Sequence, residues 1–339
     1  MQRGMKRRAL MGSGLGLAAG GLPGAPRAFA AQKFTYRLGD DLPLAHPLNV
    51  ELRAAAANIA ARSKGRLTIL LFPNNQLGGD TDMLSQIRSG AVEMLTMSGN
   101  ILATMLPVES IYNMPFAFPD YDHVWAAMDG GLGDYLRGQL STVGFHALDK
   151  HWDNGFRQIT SSEKKVSAPA DLRGFKIRVP VSPLWLSLFH ALGAAPTPIN
   201  WSETYTALQT HIVDGQENPL VVIETGKLYE VQKYAALTNH MWDGYFLLVN
   251  QAAWERLPAD LRQILAEELN AAALRQRKAV VAMNNTLQTT LTGQGMSFNT
   301  PDRAAFRQTL VNAGFYTEWK KKYGATAWTL LEKYSGPLA

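Results

Sequence analysis

The sequence predicts an α/β protein of two domains. Three observations carry this: an alternation of strand-like and helix-like segments, a length of 339 residues against about 150 per domain, and a long run free of Gly and Pro near the C-terminus. Hydrophobic residues make up 46% of the chain and charged residues 18%, a globular balance that excludes a disordered polymer. There is no cysteine, which excludes disulfides, thiolate metal sites and thiol nucleophiles.

Taken in order, Lys33 to Leu38 alternates apolar and polar residues and predicts a strand. Asn49 to Arg62 is alanine-rich with apolar residues at helical spacing. Arg66 to Phe72 is a strand stopped by Pro73-Asn74-Asn75, Thr81 to Ser89 a helix closed by Gly90, and Val92 to Met97 a further strand. This rhythm implies largely parallel strands covered by helices. In the middle third, Phe145 to Trp152 and Phe175 to Val179 are strands. Pro183 to Leu192 is a helix with Leu184, Leu188 and Leu192 on one face. Trp201 to His211 is a helix that Asn200 can cap, with Glu203 at the capping-box position. Tyr245 to Asn250 returns as a strand.

Between Pro258 and Gly293 helical spacing continues without interruption. One helix there would be about 50 Å long, against about 30 Å for a small lobe, and would have to run along both lobes. Two helices broken near Asn284-Asn285 are the alternative. Trp319 to Lys333 adds a terminal amphipathic segment.

The net charge of +5 and the pI near 9.3 raise the question of a nucleic-acid surface. Their location excludes one. Arg3, Lys6, Arg7, Arg8 and Arg27 precede the first acidic residue, Asp40, and flank an apolar stretch ending at Ala28-Phe29-Ala30. A basic start, a short apolar middle and an Ala-x-Ala end predict an export signal over residues 1–30, cleaved after about Ala30. Of the 33 basic residues, 28 remain beyond it, against 28 acidic ones, so the mature chain is neutral overall. The paired Arg7 and Arg8 fit a twin-arginine signal, with a plain Sec signal as the alternative. The apolar stretch is too short for a confident membrane span, and the expected location is the periplasm.

Motifs for nucleotide, metal or serine chemistry are missing, so neither metal nor cofactor is expected. Gly14-x-Gly16 imitates a dinucleotide fingerprint but lies in the export signal and follows no strand. His146 and His151 fall on opposite faces of one predicted strand, which argues against a shared metal. Asp40-Asp41 and Glu267-Glu268 read as surface or helix charge. Arg178 stands out because it sits in a strand between Ile177 and Val179. A buried arginine either pairs with a protein carboxylate or awaits a ligand's, and its fork matches a carboxylate bidentately. Arg157 raises the same question, beside an Asn154-Gly155 turn expected at a domain crossover. Trp201, Tyr205 and Trp242 read as core or pocket aromatics. Asp214 to Pro219 reads as a polar turn in which Asn218 offers both a donor and an acceptor.

Several of these stretches together resemble the solute-binding proteins of tripartite ATP-independent periplasmic (TRAP) transporters, the DctP type. They are Phe72 to Gly78, Trp152 to Arg157, Asp171 to Pro180, Ala207 to Gln209 with Val213 to Pro219, and Leu237 to His240. The resemblance implies a two-lobed periplasmic binding protein fold, with a cleft between lobes and a long helix spanning both. The expected division is residues 31–153 plus 244–283 for lobe I and 154–243 plus 284–339 for lobe II. It implies capture of a small organic acid and delivery to TRAP membrane subunits by a monomer that is not an enzyme. A ligand-presenting sensory protein and, further off, a periplasmic enzyme acting on organic acids are the alternatives. Arg178 matches the residue that holds the ligand carboxylate, Arg157 a supporting arginine, Asn218 a cleft amide and Trp201 an aromatic wall. Asp80 matches a position that reaches the ligand network in some members, and Trp242 is a further candidate contact. Ser98, Ile101 and Val181 replace residues of sialic-acid binders. Val181 and Trp201 suggest a drier pocket and a smaller or less hydroxylated acid.

Overall fold

The computed structural model describes residues 32–338; the export signal expected over residues 1–30, with its paired arginines, lies outside them. The first half-sheet grows as read. β1 (Phe34–Gly39) leads to α1 (Pro47–Arg62), β2 (Leu67–Phe72), α2 (Asp80–Ser89), β3 (Met94–Ser98) and the short α3 (Gly99–Leu102). β1 pairs in parallel with β2 and β3. Gly90 ends α2 in the left-handed region at φ 76°, which a glycine adopts without cost. A 3-10 turn over Pro107–Asn113 then leads to α4 (Tyr121–Met128) and α5 (Gly131–Thr142).

Phe145 to Trp152 is not one strand. It forms β4 (Phe145–Ala147) and the start of β5 (Trp152–Ser161). His146 stacks on Trp254 while His151 is buried among Tyr112, Trp242 and Phe246. The expected Asn154-Gly155 turn lies inside β5. There Gly155 takes φ 116° opposite a bulge between Asp243 and Gly244, and a Cβ on it would stand 3.1 Å from the Pro219 side chain.

The second half-sheet holds β6 (Lys176–Val179), α6 (Pro183–Ala191), β7 (Ala195–Pro198), α7 (Trp201–Gln209), β8 (Gly215–Pro219), α8 (Leu220–Thr225) and β9 (Tyr234–Ala236). Leu184, Leu188 and Leu192 are buried on the inner face of α6 as their spacing predicts. Asp214 to Pro219 corrects the sequence reading. Gly215 to Pro219 form the fully buried strand β8, between β5 and β6, rather than a turn, with the half-buried Asp214 just before it. Its polarity is carried by specific partners; Gln216, for example, donates to Thr160 Oγ1 at 2.8 Å.

β10 (Trp242–Asn250) returns to the first half and is followed by α9 (Gln251–Arg256) and α10 (Ala259–Gly293). The strand order is β2-β1-β3-β10-β5-β8-β6-β7. The sheet is mixed rather than largely parallel, because β10 runs antiparallel to both β3 and β5, and β5 antiparallel to β8. These two strands pass between the halves directly, without the helical crossover that parallel neighbours need. The expected lobe boundaries at 153/154 and 243/244 fall inside them.

α10 is one helix of 35 residues, about 52 Å long at 1.5 Å per residue, unbroken at Asn284-Asn285. Its first half lies on α1 through exposed ion pairs of Arg62 with Glu267 and Glu268 and of Arg275 with Glu51. Further on, Gln276 exchanges two hydrogen bonds with the Asp153 backbone in β5. The C-terminal part holds β11 (Ser297–Asn299), α11 (Arg303–Asn312), α12 (Phe315–Tyr323) and α13 (Ala325–Ser335), the last two separated by Gly324 at φ 83°. α11 packs on α6, whereas α13 packs on α4 and α5, so the C-terminal helices touch both halves.

Asp153 sits where β5, β10 and α10 meet. Trp242 Nε1 donates to its Oδ1 at 2.9 Å, and its Oδ2 is buried without a partner. Burial pushes its pKa up to about 7. A carboxyl raised in the fold binds more protons there than in the unfolded chain, so its ionisation destabilises the fold as pH rises through about 7. Asp153→Asn should therefore raise the melting temperature by several degrees at pH 8, with the gain shrinking towards pH 5.5. A gain independent of pH in melting curves would contradict this origin.

Candidate functional site

A cavity open in part to solvent lies where the two halves meet, with about 30 Å³ of water-accessible volume. Its polar lining follows from topology. Asp41 comes just after β1, Ser98 at the end of β3, Arg178 and Pro180 at the end of β6, and Asn218 near the end of β8. These are carboxyl ends of parallel strands, the usual location of ligands in open α/β sheets. Asp80 and Trp201 enter at the N-termini of α2 and α7, and Arg157, Asp243 and Tyr245 from the crossing strands.

The two arginines differ in kind. Arg157 Nε and Nη2 donate to the Glu217 carboxylate at 2.5 and 2.8 Å, Nη2 also to Glu217 O at 2.8 Å, and Nη1 to Asp243 Oδ2 at 2.8 Å. Four of its five N–H groups are thus committed to the protein. Burial opposes its charge, but Glu217 and Asp243 outweigh that and hold its pKa above the usual value. Glu217 also accepts from Trp185 Nε1 at 2.9 Å. Burial keeps His240 neutral despite Glu217, so its Nε2, 3.1 Å from that carboxylate, carries the proton, and Nδ1 accepts from Thr238. Asp243 Oδ1 is saturated by Ser98, Asn113 and the Gly244 N–H.

Arg178 is 2% exposed and makes no ion pair among the described residues. Its Nε and Nη2 donate to Ile199 O at 2.9 and 2.6 Å, which fixes the plane of the fork and leaves Nη1 without an acceptor among the described residues. Burial lowers its pKa to about 10, offset only in part by Asp80 and Glu217, so it remains charged at neutral pH. A guanidinium kept buried, oriented and unpaired can take a carboxylate at little reorganisation cost.

Two further lining residues are acidic, Asp80 and Asp41. Asp80 Oδ2 accepts from Trp201 N at 3.4 Å, taking the capping role expected of Asn200, whose side chain makes no cap bond. Burial raises the Asp80 pKa, with Arg178 partly offsetting it. Asp40 and Asp41, read from sequence as surface or helix charge, are buried here. Asp40 accepts from Leu42 N, Asn49 and Thr96, and burial pushes its pKa up to about 6. Asp41 faces the cavity. Burial and the nearby Asp80 and Asp40 hold its pKa well above the usual carboxylate range.

Arg178, Arg157, Asn218, Trp201 and Asp80 are thus brought together at one cavity. Trp242 is not. It is 1% exposed and packs in the core against Tyr112 and Trp125, because its indole N–H finds its acceptor in Asp153 on the far side of β10. Tyr205 lines only outer grooves, donating to Glu230 at 2.7 Å. Ser98 and Ile101 line the cavity but Val181 does not, and the lining is rich in carboxylates, amides and hydroxyls rather than dry. Asp41, Asn100, Asp243 and Tyr245 escaped the sequence reading. Asp41 carried a usable signal, lying just beyond a strand's carboxyl end.

The family model described as DctP, bacterial extracellular solute-binding protein, family 7, matches residues 38–320. An uncharacterized protein of Sinorhizobium fredii, y4mM, is 38% identical over 81% of this chain, which spans about half (46%) of that relative's length. The 2,3-diketo-L-gulonate-binding periplasmic protein YiaO of Escherichia coli is 35% identical, over 74% of this chain and 76% of its own. The sugar acid binding protein DctPAm of Advenella mimigardefordensis, solved with galactonate, superposes with a TM-score of 0.87 at 28% identity, covering 91% of this chain and all of that one. The chain therefore belongs to the DctP family of bacterial extracellular solute-binding proteins, the two-lobed solute-binding proteins of TRAP transporters.

Proposed function

We propose that this protein captures a small organic acid outside the cytoplasm, through one carboxylate bound to Arg178, and delivers it to the membrane subunits of a TRAP transporter. The carrying observation is the Arg178 guanidinium, buried in the inter-lobe cavity, held in orientation by Ile199 O and left without a protein carboxylate. The diketogulonate and galactonate in the names of two related proteins are both sugar acids, in line with such an anchor.

Arg157 acts as a positioning residue that holds β5, β8 and β10 in register around the cavity. Lobe I comprises residues 31–153 and 244–283, lobe II residues 154–243 and 284–339, and the cleft closes about β5 and β10. The protein works as an exported periplasmic monomer that binds without turnover. A hydrogen bond to a charged group contributes roughly 1.5–3 kcal/mol. Micromolar affinity needs about 8 kcal/mol, so Asn218, Trp201 and lobe closure must add to the anchor.

A thermal-shift screen of carboxylic acids against their neutral amides tests the reading. A ligand at 100 times its Kd adds about 2.7 kcal/mol, an upward shift of several degrees. The expected hits are acids alone, recovered chemically unchanged. Shifts by amides equal to those by the acids would overturn the carboxylate anchor.

A further inference from the structure

We propose that the cavity is built for a hydroxylated monocarboxylate and discriminates against dicarboxylates, with Asp41 as the residue that enforces the choice. This deepens the organic-acid reading above and rests on it.

The charge inventory limits the ligand to one carboxylate. Of the two guanidinium groups at the cavity, Arg157 is already committed to Glu217 and Asp243. Only Arg178 is left to neutralise an incoming anion. No lysine or third arginine lines the cavity, whereas Asp41 and Asp80 do, neither with a cationic partner within ion-pair distance among the described residues. A second ligand carboxylate would therefore find no cation in this buried space, and would either meet ionised acids or bind only as Asp41, whose pKa is already raised, takes up a proton. Like charges brought together away from water are strongly unfavourable.

Unpaired acceptors indicate what the rest of the ligand carries. Asp41 Oδ1 and Asn100 Oδ1 are buried and have no hydrogen-bond donor, although both side chains line the cavity. Asp41 Oδ2 receives only a long contact, 3.4 Å, from the Tyr245 hydroxyl. Buried acceptors left without donors are costly, and a ligand carboxylate has no proton of its own to give them. A hydroxyl can. Asp41 follows β1 and Asn100 sits on α3, so the two acceptors lie on separate elements. Hydroxyls spread along a carbon chain can each reach one of them, and a single ammonium is the alternative that the amino-acid probe below tests. The ligand then presents acceptors to Arg178 and donors to the wall that carries Asp41.

Calorimetry with length-matched probes tests this: erythronate, succinate, butyrate and threonine at four carbons, and gluconate, adipate and hexanoate at six. The polyhydroxy acid of at least one length should bind about tenfold or more tighter than its dicarboxylate, unsubstituted and amino counterparts. Asp41→Asn removes the charge but keeps an acceptor, so the preference for the hydroxy acid over the dicarboxylate should narrow. Asp41→Ala removes both and should weaken the hydroxy acid itself. Circular dichroism confirms that each variant is folded. A dicarboxylate, alkanoate or amino acid that binds as tightly as its hydroxy counterpart would overturn the proposal while leaving the organic-acid reading intact. So would a preference unchanged in Asp41→Asn. If none of these acids binds at either length, this proposal falls, and the thermal-shift screen above decides the organic-acid reading separately.

Discussion

Arg178→Ala is expected to weaken binding of the acid by roughly 30-fold to more than 1,000-fold, because truncating one partner of a buried, hydrogen-bonded charge pair costs about 2–5 kcal/mol. The side chain supports no protein ion pair among the described residues, so its loss should leave the melting temperature of the ligand-free protein little changed. Removing a buried charge even relieves the desolvation that lowers its pKa to about 10. Arg178→Lys should also lose affinity. The hydrogen bonds that hold the fork come from Nε and Nη2 together, and an ammonium cannot hold Ile199 O and a carboxylate in that same planar geometry. Calorimetric affinities equal to wild type in a folded Arg178→Ala protein would remove the anchor.

Glu217→Ala should have the largest effect on stability. Glu217 takes three hydrogen bonds from Arg157, two through its carboxylate, and also binds Trp185 Nε1 and His240 Nε2. All of these groups are buried. Breaking a buried pair by deleting one member costs roughly 3–5 kcal/mol, and here Arg157 would keep only Asp243 as a partner while its Nε and one Nη2 N–H lose their acceptors in the interior. For a domain of a few hundred residues this corresponds to about 10 °C in melting temperature. Replacing both members, Glu217→Leu with Arg157→Met, should cost less than the sum of the single changes, since neither member of this pair then faces an empty site, although Asp243 loses its arginine. A Glu217→Ala protein that melts within a degree or two of wild type, or an additive double variant, would show that the network contributes little.

The split between legible and illegible features has physical causes. Period and punctuation revealed the local elements: the leucine face of α6, the Gly90 stop of α2 and the Gly- and Pro-free run of α10 all fold as their spacing dictates. Strand direction was not visible. β5 and β10 run antiparallel to their neighbours because they cross between halves, a long-range relation that no local pattern encodes. Burial of polar segments was misread for the same reason. Gly215 to Pro219 carries the composition of a turn, yet it is a central strand whose side chains meet partners distant in sequence, such as Arg157 and Thr160. Arg157 and Arg178 looked alike in the chain. Only the fold separates them, by placing Glu217 and Asp243 against one and a backbone carbonyl against the other. Asp41 lost its meaning beside Asp40 because an acidic pair is more often surface charge. Trp242, open in the sequence between core and pocket, lies in the core, with its indole N–H on Asp153.

A crystal structure of the protein with its tightest-binding acid measures the central claim most directly. The expected result is an acid carboxylate about 2.7–2.9 Å from Arg178 Nη1, with Ile199 O still bonded to Nε and Nη2, and Arg157 still held by Glu217 and Asp243. An acid whose carboxylate sits on Arg157 or on any other group, with Arg178 Nη1 left untouched, would contradict it.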